Sequence, residues 1–457
     1  MNSQLKVNSV RQFTYLQLVI LHIGIAFAIY FFSFLSKPLF LIIVGFLFFW
    51  VVAKSNKNDE ALIAAAYVVG AEVFFRMTKG LIFYESGKYF VILFLLIGLL
   101  YKGTSRRSIP YWIYLFLLVP GILVSAINLS HEVDVRKAVA FNLSGPFTVG
   151  IVGIYCFFRK ITIEKLHQIM LAVLLPLITL VFFLLIYTPS LQEALTGTSS
   201  NFAASGGFGP NQGSTVVGLG IVVLFIRMIT VKNRLVNLID GLLILFFCYR
   251  GLATFSRGGM ITAAICIVGF LVVYIYYSDT LTKAKLLPKL VVAGVLIGFT
   301  WIYTSINTDG LIDKRYLNQD AAGRLKEDIT TGRVEVMATE IEAFKQNPLL
   351  GVGVGKVKEY REEQTGISIA THNEFSRILS EHGLLGLIAF CIILVIPLVY
   401  WMAFRPGLYF FSFYFFWLLT ILHSSMRLAA PAFIYGLCLL YVFNEKNTLH
   451  RKSVKLR

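Results

Sequence analysis

"LLGLIAFCIILVIPLVYWMAF", residues 384–404, contains no charged side chain and is long enough to cross a lipid bilayer as one helix. The chain is 57% hydrophobic and 14% charged, and it has roughly fourteen apolar stretches of this kind: 15–35, 38–53, 61–79, 88–102, 110–127, 145–158, 166–188, 213–230, 235–254, 260–278, 286–304, 384–404, 408–423 and 427–443. We therefore predict an all-α polytopic membrane protein with roughly 12–14 transmembrane helices and a large outer loop containing short helices.

The formal net charge of +17 raises the possibility of a nucleic-acid partner. The positive residues, however, cluster in alternate short connections between apolar stretches, as in 102–107, 159–165, 227–234 and 283–289. This distribution is the positive-inside pattern, which places both termini in the cytoplasm. We expect no nucleic-acid partner and only weak attraction to the head groups of anionic membrane lipids.

The longest polar stretch, residues 305–383, is called the long loop below, and by this topology it lies outside the cytoplasm. In "GRVEVMATEIEAFKQNP" (332–348), the apolar spacing after Gly332 predicts a helix. "THNEFSRILSEHG" (371–383) predicts a second helix, capped by Thr371 or Asn373 and stopped by Gly383. The alternating glycines of "LLGVGVGKV" (349–357) indicate a tight turn, which either is purely structural or lets the N–H groups of Gly353 and Gly355 approach a ligand.

Two arginines, Arg250 and Arg257, lie on one predicted helix, seven residues apart, and we therefore expect them to share a face of that helix. An arginine at membrane depth costs about 2.5–3.5 kcal/mol on insertion scales, so a partner is expected. One explanation for each arginine is snorkelling, in which the side chain extends so that its charged end reaches the membrane interface. The other explanation, for Arg257, is that its planar guanidinium group binds two phosphate oxygens at once.

Arg333 begins the helix of 332–348, where the helix dipole disfavours a cation. Either an anionic ligand or an exposed salt bridge to Glu335 or Glu340 explains it. His372 is open to a capping, packing, solvated or catalytic role, whereas we interpret His382 as structural. The only His/acid cluster expected outside, "HEVD" (131–134), is too sparse to predict a metal site.

In combination, "TFSRGG" (254–259), "GRVEVMATEIEAFKQNPLLGVGVGKV" (332–357) and "THNEFSRILSEHGLLGL" (371–387) resemble the O-antigen ligase and O-antigen polymerase family. The resemblance covers roughly residues 213–400, while the N-terminal half matches only in hydropathy. It suggests three regions: N-terminal transmembrane helices (1–212), an O-antigen ligase-like domain that includes the long loop (213–400), and C-terminal helices with a basic cytoplasmic tail (401–457).

The resemblance implies a bacterial inner-membrane glycosyltransferase that faces the periplasm and uses a glycan on undecaprenyl pyrophosphate as donor. It assigns pyrophosphate binding to Arg257 and Arg333 and the role of base to His372, with no metal ion or other cofactor. Arg250, Asn373, Gly353 and Gly355 are possible accessory residues. One-step attack by the acceptor predicts inversion at the anomeric carbon.

Two questions remain open at the level of sequence. The acceptor is a second lipid-linked glycan for a polymerase and the lipid A core for a ligase, and the shared motifs do not separate them. The alternative from another class is a flippase for lipid-linked oligosaccharides or another polysaccharide transporter. Such a carrier is expected to show paired halves, and the sequence has no convincing internal symmetry.

Overall fold

The computed structural model describes residues 12–130, 133–188, 190–195, 197–326, 332–366, 369, 371–405 and 407–443. These residues form eighteen α-helices, numbered in chain order: α1 (Gln12–Phe31), α2 (Ser36–Ala53), α3 (Glu60–Met77), α4 (Ser86–Lys102), α5 (Ile109–Asn128), α6 (Val135–Cys156), α7 (Ile163–Tyr187), α8 (Leu191–Ala194), α9 (Pro210–Thr230), α10 (Arg234–Ala253), α11 (Arg257–Tyr277), α12 (Thr280–Asn307), α13 (Leu311–Tyr316), α14 (Arg333–Gln346), α15 (Lys356–Thr365), α16 (Glu374–Phe404), α17 (Phe410–His423) and α18 (Ala429–Cys438). Two short strands, β1 (Lys160–Thr162) and β2 (Tyr441–Phe443), pair in parallel.

Every predicted apolar stretch contains a helix, although the stretch 427–443 ends in the strand β2, and ten helices of the described residues are long and apolar enough to cross a membrane. The remaining stretches form α3, α4 and the shorter apolar helices α17 and α18. The prediction of an all-α polytopic membrane protein is therefore confirmed. The division into 1–212, 213–400 and 401–457 stays a prediction.

The connection between α10 and α11 differs from the sequence-based expectation. The prediction that one helix contains both Arg250 and Arg257 is wrong, because α10 ends at Ala253 and α11 begins at Arg257. Phe255 between them has φ 56°, a left-handed conformation that ends a helix. Consequently Arg250 and Arg257 lie on different helices and share no helix face.

The start of α11 is held tightly against α9. A Cβ placed on Gly259 would lie 2.3 Å from the backbone of Ser214, and one on Gly218 would lie 2.5 Å from the Gly259 carbonyl oxygen. Glycine thus lets the two backbones touch, as small residues do at helix contacts in membranes. This contact fixes the position of Arg257, two residues before Gly259.

The long loop contains the helices α13, α14 and α15, as expected for a loop with short helices. The helix predicted in 332–348 is confirmed as α14, and the second predicted helix is the first part of α16. Asn373 caps α16, since its Oδ1 accepts a hydrogen bond from the Phe375 N–H at 2.9 Å. Gly383 has φ 60° and ψ −141°, so the helix breaks there and continues as the apolar span.

The long loop, which the sequence predicts to lie outside the cytoplasm, meets the start of α9, the connection between α10 and α11 and the connection between α17 and α18 at one end of the helix bundle, called the polar end below. Ser256 Oγ donates to Asn211 Oδ1 at 2.8 Å, and the Ser425 N–H donates to the His372 carbonyl at 3.1 Å. Basic connections meet elsewhere, where Asp59 forms ion pairs with Lys102 at 2.7 Å and Arg159 at 3.8 Å. This segregation agrees with the predicted alternation, and the side that faces the cytoplasm stays a prediction.

Candidate functional site

Three arginines from separate segments come together at the polar end. Arg257 Nη1 donates to the Arg315 carbonyl at 3.4 Å, and Arg315 Nε donates to the Phe255 carbonyl at 2.9 Å. Burial lowers the pKa of Arg315, and the positive charges of Arg257 and Arg333 lower that pKa further. The pKa of Arg333 is lowered by burial and then by Arg257. We call Arg257, Arg315 and Arg333 the arginine cluster; bringing in an anion would offset its internal repulsion.

His372 lies beside this cluster. It lines a cavity of about 200 Å³ together with Arg333, Glu340, Asn373 and apolar side chains that include Met337. Burial lowers the pKa of His372 to about 4, and the charges of Arg427 and Arg333 contribute to that shift. The imidazole is therefore neutral near pH 7, with an acceptor nitrogen available in a cationic environment.

The backbone around His372 is clamped from the connection between α17 and α18. Arg427 Nη2 and Ser425 Oγ both donate to the Thr371 carbonyl, and the Ser425 N–H donates to the His372 carbonyl at 3.1 Å. The polar residue next in sequence, Asn373, caps α16. Hydrogen bonds to the backbone before and after His372 thus fix the point from which its side chain extends.

A buried ion pair holds the same segment from the long loop. The Glu340 carboxylate accepts a hydrogen bond from Arg361 Nη2 at 2.6 Å and further hydrogen bonds from the hydroxyls of Thr371 and Ser376. Burial raises the pKa of Glu340, and these hydrogen bonds and Arg361 oppose the rise. The partner of Glu340 is therefore Arg361, not Arg333 as the alternative interpretation of the sequence proposed.

The predicted accessory residues bind mainly the protein itself. Arg250 is 1% exposed, and its Nη2 donates to the Ala204 carbonyl at 2.9 Å, so it ties the segment before α9 to α10. The Gly353 N–H donates to the Glu381 carbonyl at 3.1 Å, and the Gly355 N–H donates to Glu381 Oε1 at 2.8 Å. These two N–H groups anchor the glycine turn on α16, and a contact between them and a ligand stays a prediction.

Sequence reasoning missed three residues of the site: Arg315, His423 and Arg427. A Cβ on Gly258 would lie 2.5 Å from the His423 ring, which places this imidazole directly against the residue after Arg257. Arg427 was detectable as the only charged residue in the connection 424–428, whose other residues are serine, methionine and leucine. Arg315 lies beside Lys314 in a charged stretch, and no local pattern distinguishes it.

The described residues contain no group of three or more His, Cys, Asp or Glu side chains arranged to hold a metal ion. His131 and Glu132 of "HEVD" lie outside the described residues. The guanidinium groups of the arginine cluster have planar donors that match the geometry of phosphate oxygens.

Residues 241–391 match a family model described as O-antigen ligase. The matched region runs from α10 into the apolar part of α16, and it includes Arg257, Arg333 and His372. The match confirms the resemblance noted from the sequence motifs and lies within its bounds of 213–400. A search of curated proteins found no match.

Proposed function

From the O-antigen ligase match over residues 241–391, we propose that this multi-spanning membrane protein is a glycosyltransferase of surface polysaccharide assembly. It moves a glycan from undecaprenyl pyrophosphate to a hydroxyl of an acceptor sugar. The observation that carries the proposal is that Arg333 and the neutral His372 line one cavity at the polar end, with Arg257 and Arg315 close to Arg333. The membrane is the bacterial inner membrane, and the polar end faces the periplasm.

The donor carries its own activation, because the bond from the sugar C1 to pyrophosphate already has a good leaving group. Negative charge grows on the pyrophosphate oxygens as that bond breaks. Arg257, Arg315 and Arg333 stabilise this charge with donors fixed before the reaction, the kind of term that is usually the largest in catalysis. No metal ion is needed in this scheme, since the cluster itself supplies the positive charge.

His372 acts as the general base. The acceptor hydroxyl oxygen attacks C1, its proton passes to the imidazole, and the C1–oxygen bond to pyrophosphate breaks, releasing undecaprenyl pyrophosphate. Attack opposite the leaving group inverts the anomeric configuration. The bound pyrophosphate adds negative charge near His372, which raises the low pKa of its imidazole and makes it a stronger base when the donor is in place.

The acceptor decides between polymerase and ligase, and a reconstituted reaction separates them. Purified protein in lipid nanodiscs receives the lipid-pyrophosphate glycan alone, and in parallel the same donor with lipid A core. A ladder of longer lipid-linked glycans from donor alone identifies a polymerase, and product only with lipid A core identifies a ligase. No glycan transfer in either mixture, with donor moved intact between leaflets, would support the flippase alternative.

A further inference from the structure

A second and larger cavity, of about 800 Å³, adjoins the site, and we call it the side cavity. Its walls come from the start of α6, from α15, from the first part of α16 and from the connection 425–427. Thr371 lines the side cavity, and the next residue, His372, lines the smaller cavity with Arg333. Two consecutive residues thus line the two cavities, and His372 itself lines only the smaller one.

The two cavities differ in charge. Six carboxylates and four cationic side chains line the side cavity, so carboxylates outnumber cations in its wall. Two of the six carry less than a full free charge, because burial raises the pKa of Glu381 to about 7 and Glu359 forms an ion pair with Lys356 at 2.7 Å. The smaller cavity is lined by Arg333, the neutral His372 and Glu340, and the charge of Glu340 is matched by its ion pair with Arg361. Arg257 and Arg315 do not line this cavity but lie close to Arg333. A pyrophosphate group is therefore repelled from the side cavity and attracted to the smaller one.

The chemistry of the side cavity suits a neutral molecule with many hydroxyl groups. Carboxylate oxygens accept hydrogen bonds from hydroxyls, and the ring of Phe141 offers an apolar face for the C–H side of a sugar. The ring of Tyr84 lies 6.1 Å from that of Phe141 and is itself covered on one face by the Arg76 guanidinium at 4.0 Å. Glu359 Oε1 is buried and accepts no hydrogen bond from any residue that the structure describes. A buried carboxylate oxygen without a donor is costly, and a ligand hydroxyl would satisfy it.

We propose that the side cavity binds the acceptor glycan, an inference that rests on the proposed transferase function. In an inverting reaction the nucleophile approaches C1 opposite the leaving group. With pyrophosphate held by the arginine cluster, the attacking sugar enters from the side cavity, past Thr371, and meets His372 as it reaches C1. Glu359, Tyr84 and Phe141 then select and orient the sugar, and they take no part in bond breaking.

Steady-state kinetics of Phe141→Ala test the proposal. Phe141 is 36% exposed, and Phe147, which is 39% exposed on the same helix and does not line the side cavity, supplies the matched control Phe147→Ala. Loss of the aromatic face should raise the KM for acceptor about tenfold, a difference of roughly 1.4 kcal/mol, with the KM for donor unchanged. A raised KM for donor, or no change in either constant, would overturn the inference.

A binding experiment keeps this inference separate from the proposed function. An oligosaccharide of the polysaccharide repeat, without lipid or phosphate and carrying a diazirine, is photo-crosslinked to the wild-type protein. Labelled peptides should come from 133–142 and 355–362, and labelling should be competed by the untagged oligosaccharide but not by inorganic pyrophosphate. Labelling elsewhere, or competition by pyrophosphate, would contradict a glycan site in the side cavity. If this labelling is found and the wild type transfers no glycan, the transferase proposal fails while the glycan site stands.

Discussion

The guanidinium of Arg333 and the imidazole of His372 line the same cavity, although 39 positions separate them in the chain. The charge of Arg333 also contributes to the lowered pKa of His372, which is about 4. An anion bound at Arg333 therefore acts on the proton affinity of His372. Binding of the donor pyrophosphate near Arg333 is therefore expected to increase the basicity of His372.

Replacement of His372 tests the base directly. His372→Ala should lower the rate of glycan transfer about 10²–10⁴-fold, because the acceptor hydroxyl loses its proton acceptor. The amount of protein in the membrane fraction should not change, since the Thr371 and His372 backbone contacts remain. His423→Ala is the companion variant, because this second histidine lies against Gly258. If His372→Ala transferred glycan at the wild-type rate and His423→Ala lost transfer, His423 and not His372 would be the base.

Arg257→Lys keeps the charge of the arginine cluster but loses the planar fork. Transfer should fall about tenfold to a hundredfold, the size expected when hydrogen bonds to a charged group are lost. The matched control is Arg324→Lys, at an exposed arginine of the long loop whose side chain pairs with Asp320. A fully active Arg257→Lys would favour simple snorkelling of Arg257 to the membrane interface.

The pH profile of transfer reports the environment of His372. Its pKa, about 4, lies below the ordinary 6.5, so the imidazole stays neutral and able to accept a proton down to about pH 4. Accordingly kcat/KM should fall only as the pH decreases through about 4, since this ratio reports the free enzyme. The acid limb of kcat should lie at higher pH, because bound pyrophosphate favours the imidazolium. A decrease of kcat/KM at pH 6.5 or above that is seen in the wild type and absent in His372→Ala would contradict this account. It would show that burial and nearby positive charges do not lower the pKa of His372.

Transfer should not require a divalent cation. The arginine cluster supplies the positive charge that a metal ion would otherwise provide. We expect the initial rate with purified lipid-pyrophosphate donor to be unchanged by EDTA and by added Mg²⁺ or Mn²⁺. A reaction that stops in EDTA and recovers on adding back one metal would refute the metal-free scheme.

The buried pair of Glu340 and Arg361 is expected to stabilise the long loop. Glu340→Ala leaves the Arg361 guanidinium buried without its carboxylate, a change that typically costs about 3–5 kcal/mol. Thermal unfolding followed by limited proteolysis of the long loop should show this loss. Glu342→Ala, on the same helix, removes an exposed pair with Lys345 and should change stability by less than about 1 kcal/mol. Equal stability of the two variants would show that the Glu340 pair is not a structural clamp.

The features that depend on local sequence were predictable. Apolar stretches of membrane-spanning length form helices, with the exception of 427–443, which divides into α18 and β2. The bilayer leaves the backbone few alternatives to a helix. The cap at Asn373 and the break at Gly383 follow from the preferences of single residues. Family motifs singled out Arg257, Arg333 and His372, which the structure brings to the polar end.

The features that depend on tertiary contacts were not predictable. The helix break before Arg257 requires Phe255 to adopt a left-handed conformation, and a phenylalanine in a sequence does not predict that conformation. Arg361 takes Glu340 as its partner through packing of α14 on α15, which helical spacing does not reveal. Arg315 joins the cluster because its Nε reaches back to the Phe255 carbonyl across 60 positions.

The central claim is that the arginine cluster receives the pyrophosphate of the donor beside His372. An electron cryo-microscopy structure of His372→Ala in nanodiscs with undecaprenyl-pyrophosphate glycan tests it most directly. The account predicts phosphate oxygens within about 3 Å of the guanidinium groups of Arg257, Arg315 and Arg333, with the sugar C1 facing position 372. A pyrophosphate bound elsewhere on the protein, with the arginine cluster in contact only with protein groups, would contradict it.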